Sequence, residues 1–371
     1  MNVAFDAKRA FHNTRGLGNY SRDTIRLLST FFPENQYLLF NPTDKNNIRF
    51  QMQGNTREIR PESIFWKAVP SLWRSFGMCN QINKLKPDIF HGLSQELPLG
   101  INKTGARSIV SMHDAIFMRY PELYSSTYRA IFIQKNKYAC RVADHIIAIS
   151  EQTKRDIIQY FNADETKISV VYQGCNNIFR EEVSEPQKIE IRKKYNLPDR
   201  FLLNVGAIEK RKNAALIVEA LHRRRLDIPL VIIGKPTLYI NEIKSLISTY
   251  KMEEQVLFIH NAETVDLPAI YSLSDIFIYP SIFEGFGIPI LEALCTKTPV
   301  ITSTGSCFEE TGGSYSRYIN PQNADELGDA ILEIMNGSDL VKVMKNEGFI
   351  FSKKFTDDNI AKTLMSVYQS V

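Results

Sequence analysis

Short apolar runs alternate with helix-like segments along the whole chain, and they do so in two successive series. In the first half the runs are "NVAFDA", "YLLF", "DIFHG", "SIVSMHD", "HIIAIS" and "ISVVYQG", with helical patterns over 18–31, 70–84, 126–142 and 151–161. In the second half "FLLNVG", "PLVIIG", "VLFIH", "IFIYPS" and "PVITS" alternate with helical patterns over 213–225, 239–250, 266–273, 289–297 and 323–336. Val- and Ile-rich runs of this kind need burial on both faces, which a parallel sheet between two layers of helices supplies. The expected fold class is therefore α/β, with two Rossmann-like, doubly wound parallel-sheet domains. A length of 371 residues, too long for one ordinary core, points the same way. The polar stretch "REEVSEPQKIE", 180–190, is the expected join. This divides the chain into domains 1–178 and 179–354, with 355–371 an amphipathic helix packing back on the first domain.

Composition narrows the function classes. Apolar residues at 44% and charged residues at 23% describe a globular chain rather than a disordered one. No apolar run has the ~20 residues of a membrane span, and "MNVAFDAKRAF" lacks the form of a signal peptide, so the expected compartment is the cytoplasm. The five cysteines are scattered without a CxxC pair, which indicates neither a disulfide framework nor a zinc site. Net charge is +4, but residues 1–175 carry 23 Lys+Arg against 15 Asp+Glu, so the first half is basic and the remainder acidic. Without a basic tail or an aromatic-basic repeat, this suggests an anionic surface or a small anionic ligand rather than nucleic acid; an uneven solvated surface is the bland alternative.

In open parallel sheets ligands bind beyond the carboxyl ends of the strands. After "FLLNVG" come Gly206 and then Lys210, Arg211 and Lys212 before a helix, a favourable setting for a phosphate or diphosphate. After "IFIYPS" comes "EGFGIPILE", in which Gly285 and Gly287 disfavour helix and Pro289 suits a first helical position. The helix should begin near Ile288 or Pro289, leaving Glu284 on the loop and Glu292 in the first turn, both facing one mouth. The loop amides would donate to an anion and the two acids would accept from hydroxyls, as acids do with ribose in nucleotide folds. Each also has a plain structural reading, Glu292 complementing the helix dipole and Glu284 as a surface acid.

Two features remain in the first half. His113 and Asp114 end "SIVSMHD" at a strand terminus, where a structural histidine or a metal ligand are the alternatives, although the other histidines show no metal-type pairing. Gly16 and Gly18, in "TRGLGNY" between the first strand and the first helix, resemble a phosphate-approaching turn but lack the third glycine of a dinucleotide fingerprint. In "ESIFWKAVPSLWRSFGM" Trp66, Val69, Trp73 and Phe76 recur at helix-like spacing beside Lys67 and Arg74. That pattern suits either peripheral contact with an anionic membrane or packing in the first core.

Together these stretches resemble the family-4 retaining glycosyltransferases of the two-domain GT-B architecture, over nearly the whole chain. Glu284 and Glu292 stand where that family has its E-x7-E motif. "GLGNY" is similar to its N-terminal glycine loop, "SMHDA" to its His-Asp strand end, and "VGAIEKRKN" to its donor-phosphate loop, although many members carry Gly-Arg where this chain reads Gly206-Ala207. The resemblance implies two domains facing a central cleft and a nucleoside-diphosphate sugar as donor substrate, with no other cofactor and no metal. It implies Glu292 on the ribose, Glu284 on the transferred sugar, and the Gly285, Phe286 and Gly287 backbone near the donor. Arg211 and Lys212 would neutralise the diphosphate, and His113 would stand by the sugar as a positioning group. The implied reaction is hexosyl transfer, mannosyl first, to a glycan or lipid-linked acceptor in bacterial surface-polysaccharide assembly. A nucleotide-sugar epimerase of the same fold and a non-catalytic nucleotide-sugar-binding protein are the alternatives.

Overall fold

The computed structural model describes residues 1–44 and 50–371. The chain divides into two compact units, one formed by Met1–Gln173 with Asp357–Val371 and the other by Gly174–Thr356. Segment 174–178 thus belongs with the second unit. Residues 180–190 run into a helix, Glu185–Tyr195, begun by a Ser184/Gln187 capping box with Pro186 in its first turn.

Among the described residues the first unit has a seven-stranded sheet. Its strands are β1 (Asn2–Asp6), β2 (Gln36–Phe40), β3 (Thr56–Ile59), β4 (Ile89–Gly92), β5 (Arg107–Met112), β6 (His145–Ala148) and β7 (Ile168–Val170), in the order β3-β2-β1-β4-β5-β6-β7. Every pairing is parallel, with Ala4 of β1 opposite both Leu38 and Phe90. The second unit has β8 (Leu202–Val205), β9 (Leu230–Ile233), β10 (Val256–Ile259), β11 (Ile276–Tyr279), β12 (Val300–Ser303) and β13 (Arg317–Ile319). They lie in the order β10-β9-β8-β11-β12-β13, again all parallel. Central strands are buried throughout, as their uninterrupted apolar sequences require.

The order reverses beside β1 in the first sheet and beside β8 in the second, so the strand ends at β1/β4 and β8/β11 are the switch points where such sheets bind ligands. The final helix, Asp357–Ser370, packs on helix Gly16–Phe31 of the first unit. Asp357 pairs with Arg26 at 2.8 Å, and the buried Tyr368 hydroxyl lies 2.5 Å from His91 Nδ1.

Of the two readings of 62–78, packing in the first core holds for Trp73 and Arg74. Trp73 is not available to a lipid surface: it is 1% exposed, stacks near Phe40 and donates its indole N–H to Gln81 at 2.8 Å. Arg74 is buried too, in ion pairs of 2.6 Å with Asp6 and Glu96. A π-helical turn, Trp73–Gly77, re-aims the chain between Pro70–Leu72 and Met78–Leu85, so the simple helical spacing assumed for these aromatics does not hold.

Candidate active site

In the second unit the residues after β8 and β11 come together around one carboxylate. Glu284 is buried, and four groups converge on its Oε1: Arg211 Nη1 at 2.7 Å, Lys212 Nζ at 2.5 Å, the Tyr279 hydroxyl at 2.9 Å and Ser281 Oγ at 2.8 Å. Among the described residues no bond falls on Oε2. Burial alone would raise the Glu284 pKa, but the Lys212 and Arg211 charges and hydrogen bonds bring it down to about 2. Glu284 is therefore a carboxylate across the physiological range.

The two cations differ. Arg211 is held charged against its burial by Glu284, by Glu209 at 2.7 Å and by the Phe283 carbonyl at 2.5 Å. Lys212 is lowered, because burial and repulsion by Arg211 outweigh its share of Glu284. Of the two, Lys212 gains more from any further anion. Its stem passes over Gly206, whose Cβ position would lie 3.8 Å from Lys212 Cε, so an ammonium comes to the loop start where Ala207 supplies no charge.

The backbone of "EGFG" is fixed from the neighbouring loop. Ser306 Oγ accepts from the Glu284 amide at 3.1 Å and donates to the Glu284 carbonyl at 2.9 Å; Thr311 Oγ1 donates to the Phe286 carbonyl at 2.5 Å. Phe286 is buried edge-on against Phe355. Gly287 caps helix Ile288–Cys295 at φ +94, a left-handed conformation that suits glycine. The helix starts where the Gly-Ile-Pro sequence placed it.

Glu292 is a different case. It lies in the second turn of this helix rather than the first, so its acid does not complement the helix N-terminus. Burial pushes its carboxyl up to about 7 against the Tyr271 hydroxyl, which donates to Oε2 at 2.9 Å. Glu284 and Glu292 thus have separate partners and opposite electrostatics. One turn beyond Glu292, Cys295 Sγ lies 3.3 Å from Cys175 Sγ, a buried thiol pair.

In the first unit His113 follows β5 and is buried. Its Nε2 lies 2.9 Å from the Leu93 carbonyl, which can only accept, so Nε2 carries the hydrogen and Nδ1 the lone pair. Burial lowers its pKa to about 4, with the Leu93 bond opposing and the Arg9 charge adding, so the imidazole is neutral at pH 7. Asp114 Oδ1 accepts from the Ile116 amide at 3.1 Å. Gly16 and Gly18 lie inside the first turn of helix Gly16–Phe31, not between strand and helix. A side chain at Gly18 would come within 1.9 Å of the Asn13 carbonyl, which makes glycine obligatory there whatever else the turn does.

Sequence reasoning missed Tyr279, Ser281, Ser306, Tyr271 and Gly234. Only the placement of Tyr279 and Ser281 at a strand end signalled them. Gly234 has φ +155 and its Cβ would sit 1.7 Å from the Gly206 carbonyl, a constraint invisible along the sequence.

This fold sets acids, cations and a glycine loop at the carboxyl ends of β8 and β11, and comparisons with known proteins give its class, the glycosyltransferases. The model for glycosyl transferases group 1 matches residues 187–350, and that for glycosyltransferase family 4 matches residues 24–177. The chain belongs to the family-4, group 1 glycosyltransferases. It is 22% identical to O-antigen chain mannosyltransferase B of Escherichia coli over 100% of both chains. It is 27% identical to O-antigen chain mannosyltransferase RfbU of Salmonella typhimurium, over 67% of this chain and 65% of that one. Its fold is shared with Anabaena HepE solved in complex with UDP, at 15% identity and a TM-score of 0.76 over 100% of this chain and 99% of that one.

Proposed function

We propose that the chain is a retaining, metal-independent glycosyltransferase that moves a hexosyl group, mannose first, from a nucleoside-diphosphate sugar to a hydroxyl of a glycan or lipid-linked acceptor in bacterial surface-polysaccharide synthesis. The observation that carries this reading is the one-sided clamp on Glu284. All four contacts of its carboxylate with described residues fall on Oε1, which leaves Oε2 an ionised acceptor for a hydroxyl of the transferred sugar. Arg211 and Lys212, adjoining that oxygen, meet the diphosphate, and Lys212 is the cation that profits most from it. Gly206, Gly285, Phe286 and Gly287 bring backbone close to the donor, and Glu292 accepts from the ribose hydroxyls.

In the reaction the bond from the anomeric carbon to the diphosphate breaks, and the acceptor oxygen forms its bond on the same face. The departing diphosphate takes the acceptor's proton. Arg211 and Lys212 stabilise the charge that develops on the leaving group. Glu284, bound by two cations, is a poor nucleophile and serves to hold the sugar. Neutral His113, with its lone pair on Nδ1, is the positioning group for a sugar hydroxyl in this reading, and Gly16 and Gly18 belong to the same proposed substrate-binding set. The exposed apolar side chains around Phe65 present the first unit to an anionic membrane surface, where a lipid-linked acceptor resides.

The test is transfer from GDP-mannose, and from UDP- and ADP-hexoses, to a mannoside-ended acceptor, with the product anomer read by NMR. An α-linked product from an α-linked donor is expected. Donor binding without turnover on any acceptor would make this a binding protein, and inversion at a ring carbon of the free donor an epimerase.

A further inference from the structure

The carboxyl end of β1 holds more cations than its acids can neutralise. Asp6 and Glu96 are both taken: Arg74 bridges them at 2.6 Å to each, and Lys135 adds to Glu96 at 3.0 Å. Lys8 and Arg9, half-buried, directly follow β1. Among the described residues neither side chain makes an ion pair or a hydrogen bond, and Arg9 Nε is buried with no partner at all. A guanidinium N–H buried without an acceptor costs free energy, and chains keep such groups chiefly where a ligand supplies the missing partner.

Their surroundings are those of a built site. The backbone of 8–13 is held in place: Arg22 Nη1 donates to the Ala10 and Asn13 carbonyls at 3.0 and 2.7 Å, and Gly18 packs close to the Arg9 and Asn13 carbonyls. Burial, then the charges of Arg74 and Arg9, lowers the Lys8 ammonium against the pull of Asp6 and Glu96. The field of Arg9 also reaches His113, Glu96 and Tyr128, so this cation stands near the proposed positioning histidine.

We infer that Lys8 and Arg9 form an anion subsite of the first unit that takes a phosphoryl group carried by the acceptor. Two unpaired cations match the charge of a phosphate monoester or diphosphate, about −1.5 to −2 for the monoester at pH 7, better than the single charge of a carboxylate. The guanidinium supplies a bidentate fork and the ammonium a point charge. The acceptor side is assigned on the proposed reading of the first unit; the anion site itself does not depend on it.

Calorimetric titration of the full chain with inorganic pyrophosphate, against acetate at equal ionic strength, tests the site. In a Lys8→Gln/Arg9→Gln variant pyrophosphate affinity at this site should fall at least tenfold, while the affinity for GDP, UDP or ADP, whichever the parent binds, stays unchanged. Arg211→Gln should do the reverse. Unchanged pyrophosphate binding in the first variant overturns the subsite, and so does joint loss of pyrophosphate and nucleotide, which would assign both cations to the donor. Binding of none of GDP, UDP and ADP by the parent would sink the proposed function and leave the pyrophosphate result standing. If the double variant does not fold, phenylglyoxal labelling of the parent decides: pyrophosphate should slow modification of Arg9 at least tenfold, and equal labelling with and without it overturns the proposal. Farnesyl diphosphate in detergent protecting better than inorganic phosphate identifies a lipid-borne diphosphate, and equal protection a free phosphate ester.

Discussion

Glu284 and Glu292 are eight positions apart in the same motif, yet folding gives them opposite proton affinities. Glu284, held at about 2, lies below its unfolded value near 4.5. The stability it contributes is full above about pH 4.5 and is lost as pH falls toward 2. Glu284→Gln leaves Arg211 and Lys212 buried without their shared acid, so we expect a loss of about 3 kcal/mol in denaturant unfolding at pH 7. Transfer should fall far more than affinity for the bare nucleoside diphosphate. Glu292 runs the other way, its folded value of about 7 lying above the unfolded one. Its proton favours the folded state below about pH 4.5, and that contribution is lost as pH rises to about 7. Nucleotide affinity should therefore rise between pH 6 and 8 as the carboxylate forms to accept ribose hydroxyls, and Glu292→Gln should abolish the rise. A variant that keeps the same pH slope would remove Glu292 from the ribose. The motif spelled out both acids, but not this difference, because Arg211 and Lys212, which reach Glu284, and Tyr271, which reaches Glu292, stand on segments that only the fold brings near.

The elements explain what could be read and what could not. Central strands such as "LVII" and "IFIY" were legible because burial on both faces forces continuous apolar sequence. The edge strands β3, "TREI", and β13, "RYI", were not, since an edge strand keeps polar side chains and is short. Helix Glu185–Tyr195 read as a linker because Ile191 alone among its side chains is buried, which leaves no apolar stripe to detect. Where two elements touch, the sequence carries no period at all. Gly234, at the end of β9, is pressed against the Gly206 carbonyl, so Gly234→Ala must push apart the ends of β8 and β9. A loss of at least about 2 kcal/mol is expected, with nucleotide affinity falling too because the Arg211/Lys212 loop begins at Gly206. Strand β4 and the residue just after β5 supply the buried neutral histidines His91 and His113, lowered by burial to about 3 and about 4. Both lie below the ordinary value near 6.5, so their contribution is full above pH 6.5 and lost as pH falls toward 4. Melting temperature should drop over that window, and a His91→Gln/His113→Gln variant that still folds should show a shallower slope.

At the scale of the whole molecule the remaining question is where a lipid-linked acceptor would meet the protein. Aromatic-basic patterning in 62–78 suits a lipid surface and core packing alike, because a pattern along a helix does not say which face the core takes. The core takes Trp73 and Arg74. What is left outside is Ile64 at 86% exposure, Phe65 at 63%, Phe76 at 53% and Leu72 at 48%, with Lys67 exposed among them. Helix Ile64–Ala68 buries none of its side chains fully, and Ser63 caps it from outside the core. Burying one Ile or Phe side chain is worth about 1.5–3 kcal/mol, so two of them inserted at an interface outweigh a single surface charge, while Lys67 adds preference for anionic lipid. Sedimentation with phosphatidylglycerol and phosphatidylcholine vesicles should show salt-sensitive binding to the first and little to the second. An Ile64→Ser/Phe65→Ser variant, changed only at exposed positions, should keep its melting temperature and bind at least tenfold less. If the parent ignores anionic vesicles, or the variant binds them as well as the parent does, these side chains have no lipid partner and the acceptor must reach the enzyme without membrane contact at this helix.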